Sequence, residues 1–245
     1  MSEREKILRR IREALTKGCA TVPVVSNRRP ADWHGEEAFG GTPNAAGETP
    51  ALPNANEMRR WLPSVGETSE QRTALFRANA LELKADFCLL AVLEEVKSRL
   101  RELGHAEKWN RIASHNGELT HAACEAVGLP VCRTDEPYDV NALEGCDAGI
   151  TECDALIAQT GSVLVTNRST GGRTLSVLPP HHVVLARREQ MLPDLPAAFD
   201  LLKNKYALDY PSFISLITGP SRTGDIERIL VLGAHGPRKL TIFCF

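Results

Sequence analysis

Hydrophobic positions along the chain alternate between helix-like and strand-like spacing. Five apolar residues recur every three or four positions and predict an amphipathic helix that ends near Gly104: Leu89, Leu93, Val96, Leu100 and Leu103. Short β-favouring runs lie between such helical stretches, for example at 129–132, 183–186 and 239–245. Strands that alternate with helices are typical of an α/β fold with a largely parallel sheet.

The second half of the chain has more strand-like pattern. Three short apolar runs, at 149–151, 155–158 and 162–166, are separated by only a few polar residues. Such close spacing favours hairpin or meander connections between the strands. A helix is predicted over 193–202, because proline is tolerated in the first turn of a helix.

The N-terminal part differs from the rest. Residues 2–17 begin with a capping box and carry an apolar stripe, which predicts a helix that packs either on its own domain or on another subunit. Residues 19–66 contain six prolines, which predicts an extended wrapping segment. We therefore divide the chain into residues 1–66 and an α/β domain at 67–245.

Composition narrows the function classes. The 245 residues are 42% hydrophobic, the net charge is −2, and there is no basic block, which argues against nucleic acid as the main partner. No apolar run approaches the roughly 18 residues of a membrane span, and the N-terminus lacks a signal-peptide core, so we expect a cytoplasmic protein. The seven cysteines form no C-x-x-C pair and the histidines no H-x-x-x-H pair. We therefore expect neither a cluster site nor a metal site in this chain.

One stretch combines turn, anion-binding and helix-capping features. The run GPSRTGDIE at 219–227 follows the apolar run 213–217. We expect a strand, a turn, and then a helix capped by Thr223, with Asp225 and Glu227 in its first turn. Free amides at the helix start, with Arg222 beside them, would bind an anion at the carboxyl edge of a parallel sheet. The alternative is a capped turn whose polar groups satisfy one another.

Three separated motifs resemble a known family. The segments 147–188, 219–227 and 231–238, taken together and in this order, resemble the LUD domain of the lactate utilization protein C family. The resemblance is close over 147–245 and loose over the first 146 residues. It implies the NagB/RpiA/CoA-transferase-like fold, a three-layer α/β arrangement.

The same motifs supply a set of candidate ligand-binding residues. They are Gln159, Thr160, Gly161, Arg173, Gly219, Ser221, Arg222, Thr223 and His235. We expect the turn at 159–161, Arg173 and the turn at 219–223 to line one cleft. Arg168, Arg173 and Arg222 either converge on one anion or are separate surface arginines.

Candidate catalytic residues are fewer. Gln159 stands where the resembled family commonly has a glutamate, and an amide cannot act as an acid or base. Glu152 and Asp154 are the remaining carboxylates near this turn, and we interpret them as solvated turn residues. No catalytic residue is assigned.

The resemblance implies a function in a larger system. It implies an accessory subunit for oxidation of L-lactate to pyruvate, working with iron–sulfur partner proteins that hold the clusters. We expect this chain to carry no cofactor, not to oxidise lactate alone, and to form a homo-oligomer as one option. The alternatives are an independent enzyme for a small anionic metabolite (a sugar phosphate, acyl-CoA or folate), or a non-catalytic assembly or regulatory module.

Overall fold

A computed structural model of the chain describes residues 64–226, 229–232 and 236–245, with the backbone alone at 223–226 and 229–232. The predicted helix at 2–17 and almost all of the proline-rich segment at 19–66 lie outside the described residues. The division of the chain at residue 66 therefore stays a prediction. The described helices are α1 (Ser69–Glu82), α2 (Leu93–Ala106), α3 (Glu118–Val127), α4 (Val140–Glu144) and α5 (Leu195–Tyr206).

Six strands form a large parallel sheet. The described strands are β1 (Asp86–Leu89), β2 (Ile112–Ser114), β3 (Val131–Arg133), β4 (Ala148–Glu152), β5 (Ala155–Ile157), β6 (Ser162–Thr166), β7 (His181–Ala186), β8 (Met191–Leu192), β9 (Ile214–Ile217), β10 (Arg222–Ile226), β11 (Ile229–Leu232) and β12 (Lys239–Cys244). The large sheet has the order β1-β12-β7-β4-β2-β3, and each neighbouring pair is parallel. The predicted α/β fold with a largely parallel sheet is confirmed.

Both faces of the large sheet are buried. Helices α2 and α3 cover one face, where Leu100 packs with Val183 of the central strand β7. On the other face, α1 and a second sheet pack on the strands through Phe76 and Leu156. Consequently every residue of β7 is buried. His181 and His182, which begin this strand, are therefore both buried.

The second, small sheet has the order β8-β5-β6-β9. Strands β5 and β6 form the predicted antiparallel hairpin, and β9 pairs antiparallel with the other edge of β6. Helix α5 packs on its outer face through Ala198 and Leu202. Strand β4 belongs to the large sheet instead, so its short connection to β5 crosses between sheets and is not a hairpin.

The helix predicted after Thr223 is wrong. The backbone at 222–226 is a strand that pairs antiparallel with 229–232. Gly224 weakens a helix, and the β-branched residues at 226, 229 and 231 favour an extended backbone. The capping pattern predicted a helix start, but the residues after it do not support a helix.

Candidate functional site

A cavity of about 340 Å³ lies at the amino ends of β7 and β12. Its lining residues are Ser176, Val177, His182, Ile217, Thr218, Gly219, Pro220, Ser221, Arg222, Gly236, Pro237 and Leu240. The loop after β9 forms one wall. We predicted that the strand before this loop carries it to the carboxyl edge of the parallel sheet. This prediction is wrong, because β9 belongs to the small sheet. The cavity lies at the opposite edge.

Close backbone contacts fix the shape of this loop. Gly219 has a φ of +81°, and a Cβ there would lie 2.8 Å from the Leu83 carbonyl oxygen, so only glycine fits without strain. The Ser221 amide donates to the Pro237 carbonyl oxygen at 2.8 Å. The hydroxyls of Thr218 and Ser162 lie 2.8 Å apart, which joins the loop to the start of β6.

Arg222 is the one charged side chain among the described lining residues, since His182 is neutral, as shown below. The side chain is exposed, and its Nη2 donates to the Leu83 carbonyl oxygen. A guanidinium carries five N–H donors in a planar fork that suits carboxylate or phosphate. One donor used on Leu83 thus leaves others for an anion at the cavity mouth.

His182 is the most buried polar group of the cavity. The residue is 1% exposed, and its Nε2 lies 2.9 Å from the Thr151 hydroxyl. Its Nδ1 is buried and has no hydrogen-bond partner in the described part of the chain. Burial lowers the pKa of His182 to about 3, and neighbouring His181 acts in the same direction. The ring is therefore neutral at pH 7.

The predicted site residues divide into three groups. Gly219, Ser221 and Arg222 line the cavity. The Thr223 side chain and His235 lie outside the described residues. The turn at 159–161 packs against α1, where Asn79 Nδ2 donates to the carbonyls of residues 158 and 159 at 2.8 and 3.0 Å, and it does not line the cavity. The single cleft that we predicted is thus present only in part.

Of the three arginines considered, Arg222 lines the cavity, and Arg168 and Arg173 do not. Arg168 pairs with Asp209, and Arg173 Nη2 lies 3.5 Å from the Ser212 carbonyl oxygen. Asp209 and Ser212 precede β9 in the sequence, whereas Arg222 follows its end. Strand β9 has four residues of extended chain, which span about 13 Å. The contacts of Arg168 and Arg173 thus lie on the other side of this strand in sequence from Arg222.

A polar cluster occupies the carboxyl edge of the large sheet. Glu152 Oε1 accepts from the Leu119 and Thr120 amides at the start of α3, at 2.8 and 3.4 Å. The Glu152 amide lies 3.4 Å from His115 Nε2, and Arg133 Nη1 donates to the His115 carbonyl oxygen at 2.8 Å. Burial lowers the pKa of His115, although the Glu152 carboxylate opposes the shift. These groups bind one another.

Asp154 is also held internally. Its carboxylate is fully buried and accepts from Lys205 Nζ and the Tyr206 hydroxyl, each at 2.6 Å. Burial alone would raise the pKa of Asp154, but the hydrogen bonds to its carboxylate and the charge of Lys205 together outweigh burial and lower the pKa. The interpretation of Asp154 as a solvated turn residue is wrong, and that of Glu152 fails because its carboxylate caps α3.

Other chemistry is sparse in the described part of the chain. It contains no group of three or more histidine, cysteine or acidic residues arranged to hold a metal ion. The six cysteines described there are free, and all but Cys88 are buried. No helix among these residues has the length and apolar character needed to cross a membrane.

Comparison with known proteins identifies the C-terminal part. Residues 140–244 match the family model described as LUD domain. The matched stretch is less than half of the chain. The resemblance found in the sequence motifs is thereby confirmed, and all residues that line the cavity fall within the stretch that matches the LUD domain. Leu83, which binds Arg222, lies before it.

Curated relatives match the LUD domain. Lactate utilization protein C of Anoxybacillus flavithermus is 38% identical over 103 residues, which cover 42% of this chain and 46% of the relative. Its namesake in Bacillus subtilis is 33% identical over 117 residues, 46% of this chain and 49% of the relative. The namesake in Deinococcus radiodurans is 31% identical over 117 residues, 47% and 54%. The chain spans about half the length of the curated relatives that it matches.

A solved structure supports the fold. The crystal structure of a DUF162 family protein from Deinococcus radiodurans superposes with a TM-score of 0.57 at 21% sequence identity. The match covers 73% of this chain and 99% of that chain. This likeness extends the three-layer α/β assignment beyond the LUD domain to much of the chain, and it concerns the fold alone.

Proposed function

We propose that this protein is a component of an L-lactate utilization system. The observation that carries the proposal is the LUD domain at 140–244, which the chain shares with relatives named Lactate utilization protein C at 31–38% identity. The cavity lies wholly inside this shared domain, so the part of the chain that resembles those proteins also holds its candidate ligand site.

The chain acts as an accessory subunit. Oxidation of lactate to pyruvate takes place in an assembly with iron–sulfur partner proteins, which hold the clusters, while this chain carries no cofactor of its own. The sequence resemblance and the names of the relatives support this role. Within the assembly, the cavity binds a small anion through Arg222, whose planar fork suits a carboxylate.

A genetic and biochemical experiment in the source organism tests the role. Deletion of the gene is expected to abolish growth on L-lactate while growth on pyruvate continues, and the wild-type gene should restore growth. A tagged chain should co-purify with iron–sulfur proteins. The purified chain alone should be colourless and should not oxidise lactate.

Three results would contradict the proposal. Normal growth of the deletion strain on L-lactate would remove the chain from lactate utilization. A stoichiometric chromophore, or lactate turnover by the chain alone, would instead favour the independent enzyme.

A further inference from the structure

We propose that the open edge of β9 is an interface that joins two copies of this chain, with β9 pairing antiparallel with β9 of the second copy. The small sheets of the two copies then form one continuous sheet, with four strands from each copy. The inference concerns how the protein assembles and goes beyond the proposed function.

The first observation is the direction of the backbone groups of β9. The Asn167 amide donates to the Phe213 carbonyl oxygen at 3.1 Å, so residue 213 faces β6. Facing alternates along an antiparallel strand, so Ser215 also faces β6, whereas the amides and carbonyls of Ile214 and Leu216 face away from it. No described strand pairs with that side of β9. Such an edge is a template for another strand.

The second observation is an apolar groove of about 200 Å³ between this edge and α5. All of its lining residues are apolar, and three of them are large and exposed: Phe199 at 60%, and Ile214 and Leu216 at 40% each. A contiguous exposed apolar surface of this kind is typical of an interaction site. The groove therefore adds side-chain contacts to the open hydrogen bonds of the strand.

The other sheet edges are protected in ways that β9 is not. Natural proteins block edge strands with charges, prolines, bulges or very short strands. In the large sheet, the edge strands β1 and β3 carry Asp86 and Arg133, and the other edge of the small sheet, β8, has only two residues. Strand β9 contains no charge and no proline, and its register with β6 is regular. It is thus the edge best suited to pairing.

The pattern of β9 is complementary to itself, which identifies a second copy as the occupant. With a two-fold axis at Ser215, Ile214 of one copy lies opposite Leu216 of the other, so their outward amides and carbonyls exchange hydrogen bonds on both sides of the axis. The same pairs bring their apolar side chains together on the groove side. Ser215, a small polar residue, meets its counterpart at the axis.

Helix α5 adds charge complementarity to the interface. Phe199 lines the groove, and Lys203 follows one turn later on the same side of the helix. Neither Lys203 nor the exposed Asp200 has an ion pair in the described part of the chain. The two-fold axis makes the two helices antiparallel, so Lys203 of one copy is directed towards Asp200 of the other. Exposed pairs of this kind set orientation more than affinity.

Sedimentation velocity of the full chain tests the interface. The wild type, Leu216→Lys and Leu81→Lys are compared over a range of concentrations, with circular dichroism as the check on folding. Leu81 is the matched control, because it is also exposed, at 54%, but lies on α1. The wild type and Leu81→Lys should sediment as dimers. Leu216→Lys should weaken the dimer by about tenfold or more, because each dimer carries the buried charge twice.

A cysteine at the axis gives a second readout, which holds even if Leu216→Lys fails to fold. At the non-hydrogen-bonded pair formed by residue 215, the two Cα atoms lie about 4.5 Å apart, within the range of a disulfide. Oxidised glutathione should therefore convert Ser215→Cys into a covalent dimer. Ser212→Cys is the control and should not cross-link, since its Cα atoms lie about 20 Å apart across the axis.

Two kinds of result would overturn the proposal. A wild type that stays monomeric at all concentrations would leave the edge of β9 to a different protein. A dimer that Leu81→Lys dissociates and Leu216→Lys does not, or a cross-link in Ser212→Cys and not in Ser215→Cys, would show that the copies meet through another surface.

Discussion

Polar side chains at the two edges of the large sheet differ in their hydrogen bonding. At the carboxyl edge, Glu152 caps α3, and His115 is bound by Glu152 and Arg133. At the amino edge, the cavity is lined by His182, with an unpartnered buried nitrogen, and by Arg222, with most of its donors turned to no described residue. Ligands of open α/β sheets usually bind at the carboxyl edge.

A position at the carboxyl edge of a parallel sheet does not by itself identify a ligand site. A group that already binds its neighbours is stabilising and has little capacity left for a ligand. The carboxyl edge contains more titratable residues, and most of their contacts are internal, although Thr134 Oγ1 and Asp154 Oδ2 are buried there without a described partner. The amino edge contains fewer, and there Arg222 is exposed at a cavity.

The largest expected effect is a loss of stability in acid caused by the two β7 histidines. Burial lowers the pKa of His181 to about 4 and of His182 to about 3, below the ordinary value of 6.5. The unfolded chain therefore binds protons first, and stability that is complete above pH 6.5 falls as pH decreases towards the folded-state pKa values. By pH 5 the free energy of unfolding should fall by about 2 kcal/mol for each histidine.

Urea denaturation at pH 7 and pH 5 measures this effect. The variant His181→Phe should show a smaller difference between the two pH values than the wild type. An NMR titration of the folded protein in which either histidine ring is protonated near pH 6.5 would contradict this prediction. It would show that the ring is solvated.

The next effect is structural and belongs to the carboxyl side. Asp154→Ala removes the buried acceptor of Lys205 and Tyr206, and we expect a loss of about 2 kcal/mol in the free energy of unfolding. The loss stays at this level because Lys205 is half exposed and can turn to water. Anion affinity should not change, since Asp154 does not line the cavity.

Asp200→Ala, an exposed change on α5, the helix that carries Lys205 and Tyr206, is the control and should alter stability by less than about 0.5 kcal/mol. If Asp154→Ala changed the free energy of unfolding as little as this control but weakened anion binding, the anion would bind at the carboxyl edge and not at the amino edge.

Regular periodicity made most of the fold predictable. A capping box of Thr68 and Gln71 begins α1, and α3 ends at Gly128 with a left-handed φ of +70°, both of which are local sequence signals. Gly104 does not end its helix, since α2 continues to Ala106. The glycine instead leaves space for Trp109, whose ring would lie 3.1 Å from a Cβ at position 104. Such close packing depends on residues brought together by folding.

The candidate site was less predictable, for a similar reason. Gly219, Ser221 and Arg222 were found because glycine, proline and arginine form a recognisable local turn. His182 was missed as a site residue, because its role depends on both faces of the sheet being covered, which no local pattern records. The separation of Arg173 from Arg222 likewise depends on β9 pairing with β6 and not with the parallel strands.

The most direct test of the central claim, that the amino-edge cavity is the ligand site, is an anion titration of three proteins. Calorimetry with L-lactate, pyruvate, phosphate and sulfate is carried out on the wild type, Arg222→Ala and Arg173→Ala. Both arginines are exposed and both donate to a backbone carbonyl, so they form a matched pair at opposite ends of β9. We predict that Arg222→Ala weakens binding of the preferred anion about tenfold and that Arg173→Ala leaves it unchanged. Equal affinities for all three proteins, or a loss confined to Arg173→Ala, would contradict the account.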